Sequence, residues 1–243
     1  MFINQNIRPY IIINGVNSRS IKGLLISELP PISKPAIRVQ QEEIDGRDGD
    51  IITPLGYAAY DKVVTIGLTY EYDIDDIIEF FNTSGKIVFS NEPDKYYFYA
   101  IYNQIDFEKL IRFKTAEVTF HIQPFKYSDT ENEQTFNLSG TSSEVQIRNN
   151  GNIYSRPTLT ITGSEDINFF LNGSQLLTIN LGLTTRTIII NCSEMNAYND
   201  NGQFLNRLVS GDYDNIKLKV GNNVLSFTGT VNQVVISDYS RWI

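Results

Sequence analysis

Short apolar segments rich in β-branched residues recur along the whole chain, separated by Gly, Asn, Asp and Pro. The segment 114–123 alternates without a break, since Ala116, Val118, Phe120 and Ile122 are apolar and the residues between them are polar. Because successive side chains of a strand point to opposite faces, this period of two predicts a strand with one buried face.

Similar segments predict strands in both halves of the chain. In the first half they are Tyr10–Ile13, Ile21–Ile26, Lys62–Tyr70, Lys86–Phe89 and Tyr96–Ile105. In the second half they are Pro157–Thr162, Ile167–Leu171, Gln175–Leu181, Arg186–Asn191, Ile216–Val220, Val224–Thr228 and Val231–Ser237. The dipeptides Asn172-Gly173 and Asn201-Gly202 predict hairpin turns, because a type I′ turn needs positive φ at both central residues.

One segment, Ile74–Ser84, has a helical pattern instead. Its residues at i, i+3, i+4 and i+7 form one apolar face, and they are Ile74, Ile77, Ile78 and Phe81. Asp73 is a suitable N-cap, and Gly85 fits the left-handed residue that often follows a helix. We therefore predict one helix between strands in the first half.

The pattern lapses between Gln123 and Ser143, where the sequence becomes polar and includes the acidic stretch DTENE. Such a lapse indicates a domain boundary, which we place near residue 130. The fold class is predicted to be mainly β, with residues 1–130 forming a β-rich domain with one helix. Residues 131–243 are predicted to form an all-β sandwich or jelly roll, because short strands and turns follow one another closely.

Composition and charge exclude several classes of protein. The formal net charge is −8, whereas a sequence-independent nucleic-acid binder or a protein that docks on an anionic membrane needs a basic surface. Cys192 is the single cysteine, so no disulfide can form within the chain. No apolar run approaches the roughly 18 residues of a membrane span, and no signal peptide is recognisable, so we expect folding in a cytoplasm.

The residues that could carry chemistry do not form a recognisable catalytic or metal-binding pattern. The acidic segment 40–50, QQEEIDGRDGD, fails the EF-hand spacing, because position 3 counted from Asp45 is Arg47 and position 12 is Gly56. His121 is the only histidine and lies on the polar side of its strand, and Cys192 follows an apolar run. We therefore predict no catalytic residues, no metal site, no cofactor and no enzymatic activity.

The aromatic segment 96–102, YYFYAIY, has two interpretations. Exposed rings would stack on sugars, which would suit a carbohydrate-binding adhesion module, and this remains the alternative function. If the segment is a strand between two layers, alternate rings fill a core instead, and we favour this second interpretation.

Taken in order, several motifs of the chain resemble those of the distal tail protein family of siphophages. They are Ile12-Ile13-Asn14-Gly15, Gly46-Arg47-Asp48-Gly49, the helix Ile74–Ser84, Phe120–Tyr127, Asn149-Asn150-Gly151, Arg156–Gly163, Gly211-Asp212-Tyr213, Gly221-Asn222-Asn223 and Ser240–Ile243. The resemblance covers nearly the whole chain and depends on the order and spacing of motifs that are individually weak.

The resemblance implies a structural role in the virion tail, with synthesis in the cytoplasm of the bacterial host. In this family the first domain forms a hexameric ring, and a galectin-like or jelly-roll second domain projects outward. The ring joins the tail tube protein to the tail-associated hub protein, carries receptor-binding proteins and lets DNA pass, with no sequence-specific nucleic-acid binding and no membrane binding.

By the same analogy, residues 36–56 form an extended arm that packs on a neighbouring subunit. Its mixed charges would then make ion pairs between subunits, and they are Arg38, Glu42, Glu43, Asp45, Arg47 and Asp48. The net charge of −8 is compatible with an acidic channel wall that repels DNA phosphates.

Overall fold

The structure is a computed structural model that describes residues 8–129 and 133–243. Its residues divide into two compact units, with the boundary after Asp129. Each unit has a hydrophobic core of its own. The predicted fold class is confirmed, because most of the chain is in strands.

Residues 8–129 of the first unit contain nine strands and two short α-helices. The strands are β1 (Ile11–Ile13), β2 (Val16–Asn17), β3 (Leu24–Glu28), β4 (Ile37–Glu43), β5 (Asp50–Tyr57), β6 (Tyr60–Leu68), β7 (Ser84–Phe89), β8 (Lys95–Ala100) and β9 (Thr115–Ser128). The helices are α1 (Ile74–Phe81) and α2 (Phe107–Phe113). Seven strands form an antiparallel sheet in the order β2–β1–β7–β8–β9–β6–β3. The other two, β4 and β5, pair only with each other.

The core of the first unit lies against the alternating face of β9, as predicted. Val118, Phe120 and Ile122 are fully buried, while the residues between them are exposed or half-buried. The ring of Phe120 packs against three other aromatic rings, with centroid distances of 6.3 Å to Phe81, 6.2 Å to Phe89 and 5.4 Å to Tyr99.

Helix α1 begins where the sequence predicted, but it ends earlier. The Asp73 carboxylate caps it by accepting hydrogen bonds from the backbone N–H groups of Asp75 and Asp76. The helix stops at Phe81, and Gly85 lies within β7, so its assignment as the helix terminator is wrong. Gly85 has a φ of +139°, a backbone conformation that residues with a side chain rarely adopt, and a side chain there would also collide with Asn14.

Two further predictions for the helices need correction. The buried face of α1 consists of Ile77, Phe80 and Phe81, whereas Ile78 is 38% exposed. A second helix, α2, was missed because its seven residues are too few to establish a clear period. Its start is nevertheless marked in the sequence, since the Asp106 carboxylate accepts a hydrogen bond from the Lys109 N–H at 2.8 Å.

The second unit is all-β in its described residues. Its strands are β10 (Glu133–Asn137), β11 (Ser142–Asn149), β12 (Thr158–Leu171), β13 (Ser174–Asn180), β14 (Arg186–Asn191), β15 (Asn196–Tyr198), β16 (Val209–Gly211), β17 (Gly221–Ser237) and β18 (Arg241–Trp242). A sheet runs in the order β10–β17–β12–β13–β16, with β11 also paired to β17 and β14 to β12 and β15.

The strands of this unit differ from the prediction in number and length. Strand β12 unites two predicted strands across a register shift near Gly163, and β17 unites two more. The segment 216–220 is not a strand, although Ile216 and Leu218 are buried. The Asn172-Gly173 turn is confirmed, with φ values of 51° and 87°, whereas at 201–202 only Gly202 has positive φ. A jelly-roll topology stays a prediction.

Candidate assembly surface

The most unusual feature of the first unit is the hairpin of β4 and β5, residues 37–57, which we call the arm. All seven residues of β4 are exposed. Five large apolar side chains of the arm are between 43% and 59% exposed, and they are Ile37, Val39, Ile44, Ile52 and Leu55. An isolated two-stranded hairpin is at best marginally stable in water, so this surface is suited to contact with another molecule.

The register of the hairpin sorts its side chains onto two different faces. Ile37 pairs with Tyr57, Val39 with Pro54, and Gln41 with Ile52. Directly paired residues of antiparallel strands share a face, so these six residues form one mainly apolar face. The opposite face is mainly polar and carries Arg38, Gln40, Glu42 and Thr53.

The structure places all six predicted interface residues on the arm. Arg38 and Glu42 lie on its polar face, and Glu43 pairs with Asp50 at the end of the hairpin. Asp45, Arg47 and Asp48 lie in the exposed turn at the tip. In the described part of the chain, none of the six forms an ion pair with another residue.

The segment that leads into the arm, residues 29–36, is held against the sheet by side-chain donors, and we call it the strap. It contains three prolines, which cannot donate backbone hydrogen bonds. Its carbonyl groups accept hydrogen bonds instead: that of Pro30 from the Asn91 amide at 3.0 Å, that of Pro31 from the Lys62 ammonium at 2.7 Å, and that of Ser33 from a tyrosine hydroxyl at 3.3 Å.

The donor to Pro31, Lys62, belongs to a buried polar network. Lys62 is only 4% exposed, and its Nζ atom lies 5.5–5.7 Å from the ring centroids of Tyr60, Phe89 and Tyr97. The pKa of Lys62 is lowered to about 8, mainly by burial; a nearby carboxylate opposes this shift, and the positive charge of Lys126 adds to it.

That carboxylate belongs to Glu92. It accepts a hydrogen bond from the Lys126 ammonium at 2.8 Å and another from the Tyr97 hydroxyl at 2.8 Å. Burial is also the main reason that the pKa of Tyr97 is raised. The half-buried Glu92 thus forms its ion pair with Lys126 and acts on Lys62 only through space, so the cation of Lys62 is only partly compensated.

The base of the arm is fixed on its return side as well. The backbone N–H of Ala58 donates to the carbonyl of Ala36 at 2.8 Å, which closes the hairpin. The ring of Tyr57 packs edge-on against Phe125 of β9, with centroids 5.4 Å apart. The arm therefore leaves the sheet from a base that is held at two points, while its own surface stays exposed.

A groove lies beside helix α1 in the same unit. It has a volume of about 440 Å³, and its lining residues are Ile13, Asn14, Val16, Ile21, Asp76, Glu79, Phe80, Asn82 and Thr83. The Asn14 side chain fixes one wall, because its amide donates to the Thr83 hydroxyl and the Ser84 carbonyl at 3.0 Å each and its oxygen accepts from the Lys86 N–H at 2.8 Å. The groove is thus an apolar, preformed depression with two carboxylates among its lining residues.

The other candidate residues have structural partners. His121 and Asp61 face each other on β9 and β6, with 2.8 Å between Nδ1 and Oδ1. Cys192 is fully buried, and burial raises the pKa of its thiol to about 12. Within residues 8–129 and 133–243, no group of three or more acidic, histidine or cysteine side chains is placed to hold a metal ion.

The aromatic segment belongs to the core, as we favoured. Tyr96 and Tyr97 are fully buried and Tyr99 is 5% exposed, whereas Tyr102 is 66% exposed. The buried rings cannot stack on a sugar, which removes the main support for the carbohydrate-binding alternative. Neither helix of the described chain is long and apolar enough to cross a membrane.

Comparison with protein families and solved structures finds phage tail proteins. Residues 18–122 match the family model of the phage tail protein RIFT-related domain. The Dit protein of phage SPP1, described as a paradigm of the hub adsorption apparatus in phages that infect Gram-positive bacteria, has the same fold. Its TM-score is 0.64 at 20% identity, over 97% of this chain and 99% of that one.

A chain of the phage P2 baseplate, solved in its activated conformation with Ca, is also similar, with a TM-score of 0.57 at 10% identity over 98% of both chains. No curated protein matches the sequence significantly. The predicted resemblance to siphophage distal tail proteins is confirmed for the fold of the chain and for the domain family of its first unit.

Proposed function

We propose that this chain is a structural distal tail, or baseplate hub, protein of a long-tailed phage or prophage. It would form a ring that joins the tail tube to the host-adsorption apparatus and leaves a passage for DNA. The observation that carries the proposal is the fold, which matches the SPP1 Dit hub protein over nearly the full length of both chains. The phage tail domain in residues 18–122 supports it independently.

The arm supplies the means of self-association. It presents apolar side chains to solvent, and the strap and the Tyr57–Phe125 contact fix its base on its own subunit. Exposed apolar surface of this kind marks an interaction site in a soluble protein. We therefore assign the arm to the contact between neighbouring subunits.

The decisive measurement is the mass of the particle in solution. A ring of six chains of 27.7 kDa would weigh about 166 kDa, which native mass spectrometry separates from a monomer or a dimer. A stable monomer at micromolar concentration would contradict the proposal, and so would catalytic turnover of a substrate. A glycan array tests the carbohydrate-binding alternative in the same preparation.

An armless variant tests whether the arm makes the ring. Residues 37–57 can be replaced by two glycines, because Ala36 and Ala58 already lie within hydrogen-bonding distance. We expect this variant to melt at nearly the same temperature as the parent and to remain monomeric. Rings formed by the armless variant would show that another surface carries the assembly.

The predicted ion pairs of the arm form a separate part of the proposal. Arg38, Arg47 and the acids Glu42, Glu43, Asp45 and Asp48 would pair with charges of the neighbouring subunit. Charge reversal by Arg47→Glu should then weaken assembly, whereas Arg47→Lys should retain most of it. Because exposed ion pairs contribute about 0–1 kcal/mol each, the expected loss is up to about fivefold in affinity. Unchanged rings with Arg47→Glu would exclude this residue from the interface.

The remaining partners follow from the same role. The tail tube protein and the tail-associated hub protein would bind the two sides of the ring, and receptor-binding proteins its periphery, all within the virion tail. An acidic channel wall would let DNA slide without binding, in keeping with the net charge of −8. An electron cryomicroscopy map of the ring tests this, and a channel lined by Lys and Arg would contradict it.

A further inference from the structure

We propose that Asn201 is a site of spontaneous chemical modification, at which the chain loses ammonia and gains an acidic residue. The inference goes beyond the proposed function and does not depend on it. It follows from a comparison of the four Asn-Gly dipeptides of the chain, which lie at 14–15, 150–151, 172–173 and 201–202.

An Asn-Gly dipeptide favours this reaction, because glycine has no side chain to keep its backbone nitrogen away from the Asn carboxamide. The glycine nitrogen forms a bond with Cγ of the Asn, the bond from Cγ to Nδ2 breaks, and Nδ2 leaves as ammonia with the proton of the glycine N–H. The product is a cyclic imide, which water then opens. Opening at Cγ gives Asp, whereas opening at the backbone carbonyl gives isoaspartate, in which the chain runs through the former side chain.

Two of the four sites are exposed, but hydrogen bonds hold their carboxamides in place. Asn14 forms the three hydrogen bonds to residues 83–86 that are described above. The Asn172 amide donates to the Asn223 side-chain oxygen at 3.2 Å, and its oxygen accepts from the Val224 N–H at 3.0 Å. Both carboxamides must break these bonds before Cγ can approach the nitrogen of the next residue.

At the third site, the glycine is constrained as well as the Asn. Gly151 is buried, and its N–H donates to the Asn149 side-chain oxygen at 2.8 Å. The Asn150 side-chain oxygen accepts a hydrogen bond from the Arg148 guanidinium at 3.0 Å. A buried nitrogen that already donates a hydrogen bond is poorly placed to attack the carboxamide.

The fourth site combines exposure with a carboxamide that is not held. Asn201 and Gly202 are both exposed, in the turn that connects β15 to the bridge between Tyr198 and Phe204. The Asn201 backbone N–H donates to the Asn199 side-chain oxygen at 3.0 Å, but the Asn201 carboxamide forms no hydrogen bond with the described residues. Its Cγ is therefore free to move toward the next nitrogen.

One hydrogen bond must still open at this site. The Gly202 N–H donates to the Asn199 carbonyl at 2.9 Å, which closes the turn. Exposed turns open at a much smaller free energy than the core strands of a protein. This bond therefore slows the reaction less than the side-chain bonds slow it at Asn14 and Asn172.

The modification would change the surface of the second unit. It alters the formal net charge from −8 to −9 and places a second carboxylate beside Asp200. An isoaspartate also lengthens the backbone inside the turn, where the Asn199 N–H donates to the Gln203 carbonyl at 3.0 Å. Asn201 would thus record the age of the protein through a slow change that does not reverse.

Ageing of the purified chain in mildly alkaline buffer tests the proposal. Ion exchange separates the acidic form, and the tryptic peptides 1–19, 149–186 and 187–207 carry the four sites. We expect Asn201 to convert at least about tenfold faster than Asn14 and Asn172, because each of those must first break two or three hydrogen bonds. Asn201→Gln should remove most of the acidic form, since the longer side chain closes the corresponding ring slowly.

The same incubation in concentrated urea is the matched control, because unfolding removes the hydrogen bonds and leaves only the sequences. The rates at Asn14, Asn172 and Asn201 should then approach one another. Conversion of Asn14 or Asn172 as fast as Asn201 in the folded chain would overturn the inference. A folded chain in which Asn201 stays intact, under conditions where it converts in urea, would overturn it too. Neither result bears on the proposed function, which the particle mass tests.

Discussion

The stability of the first unit is expected to rise with pH. Replacing Lys62 by methionine should abolish this rise. The folded pKa of Lys62 is about 8, and its ordinary value is 10.5. Between these values the unfolded chain binds more protons than the folded one, so stability rises with pH. The two pKa values correspond to a gain of about 2 kcal/mol between pH 7 and pH 9.5.

The measurement is urea denaturation of the native protein and of Lys62→Met at several pH values in this window. Circular dichroism follows unfolding, and the transition whose midpoint changes in Lys62→Met is that of the first unit, because Lys62 lies within it. The pH should stay below 10, because the raised pKa of Tyr97 removes stability as unfolded tyrosine ionises above that value.

Other titrating groups are common to both proteins, so the difference between the two stability curves isolates Lys62. That difference should widen by about 2 kcal/mol toward high pH, in favour of the native protein. Parallel curves would refute the reasoning, because they would mean that the ammonium group of Lys62 is not desolvated beside the strap. Lys62→Arg serves as a control that keeps the charge at all these pH values.

Three further substitutions test the packing. Phe120→Ala should cost about 3–5 kcal/mol by emptying the centre of an aromatic cluster, and Phe120→Leu clearly less, both measured by urea denaturation. Asp73→Ala should cost about 1 kcal/mol by removing the cap of α1, while Asp73→Asn should retain most of it; equal losses would point to charge rather than capping. Asn223→Ala should lower the melting temperature of the second unit, at a cost of about 1–3 kcal/mol in stability. The reason is that the buried Asn223 side chain accepts a hydrogen bond from the Lys219 backbone N–H and donates one to the Lys219 carbonyl. An unchanged transition would contradict that role.

The sequence predicted the elements that local rules decide. The alternation of β9, the Asp73 cap and the Asn172-Gly173 turn each depend on residues within one short segment, and all three are present in the structure. The end of α1 was wrong for a different reason. Gly85 resembles a helix terminator, but its positive φ within β7 and its close contact with Asn14, more than seventy residues earlier, are what favour a glycine there.

The arm was predicted in its extent but not in its character. Its charges drew attention to the segment 40–50, and the resemblance to distal tail proteins pointed to a neighbouring subunit. The alternation of Ile37 and Val39 with polar residues was the signal for an amphipathic hairpin. This signal consists of only two apolar positions, and the apolar residues on the same face of the other strand, Ile52 and Pro54, are distant in the sequence. Which residues share a face depends on register, and register depends on the turn and the bulge near Arg38.

The strap and the groove were beyond prediction from the sequence. Proline carbonyls that accept hydrogen bonds from Asn91 and Lys62 join positions that are 31 or more residues apart. The groove likewise combines strand residues near Val16 with helix residues near Phe80, which no spacing rule brings together. Both features arise from tertiary contacts between segments with ordinary local sequences.

Because the arm is fixed only at its base, the sheet that holds this base sets the direction in which the arm points. The strap fixes the beginning of β4, and the contact of Tyr57 with Phe125 fixes the end of β5. The fold of the free subunit would then already determine the angle between successive subunits of an assembly. Substitutions at the base of the arm should consequently alter the curvature of the assembly and the closure of the ring. Substitutions at the tip should alter only the affinity between neighbouring subunits.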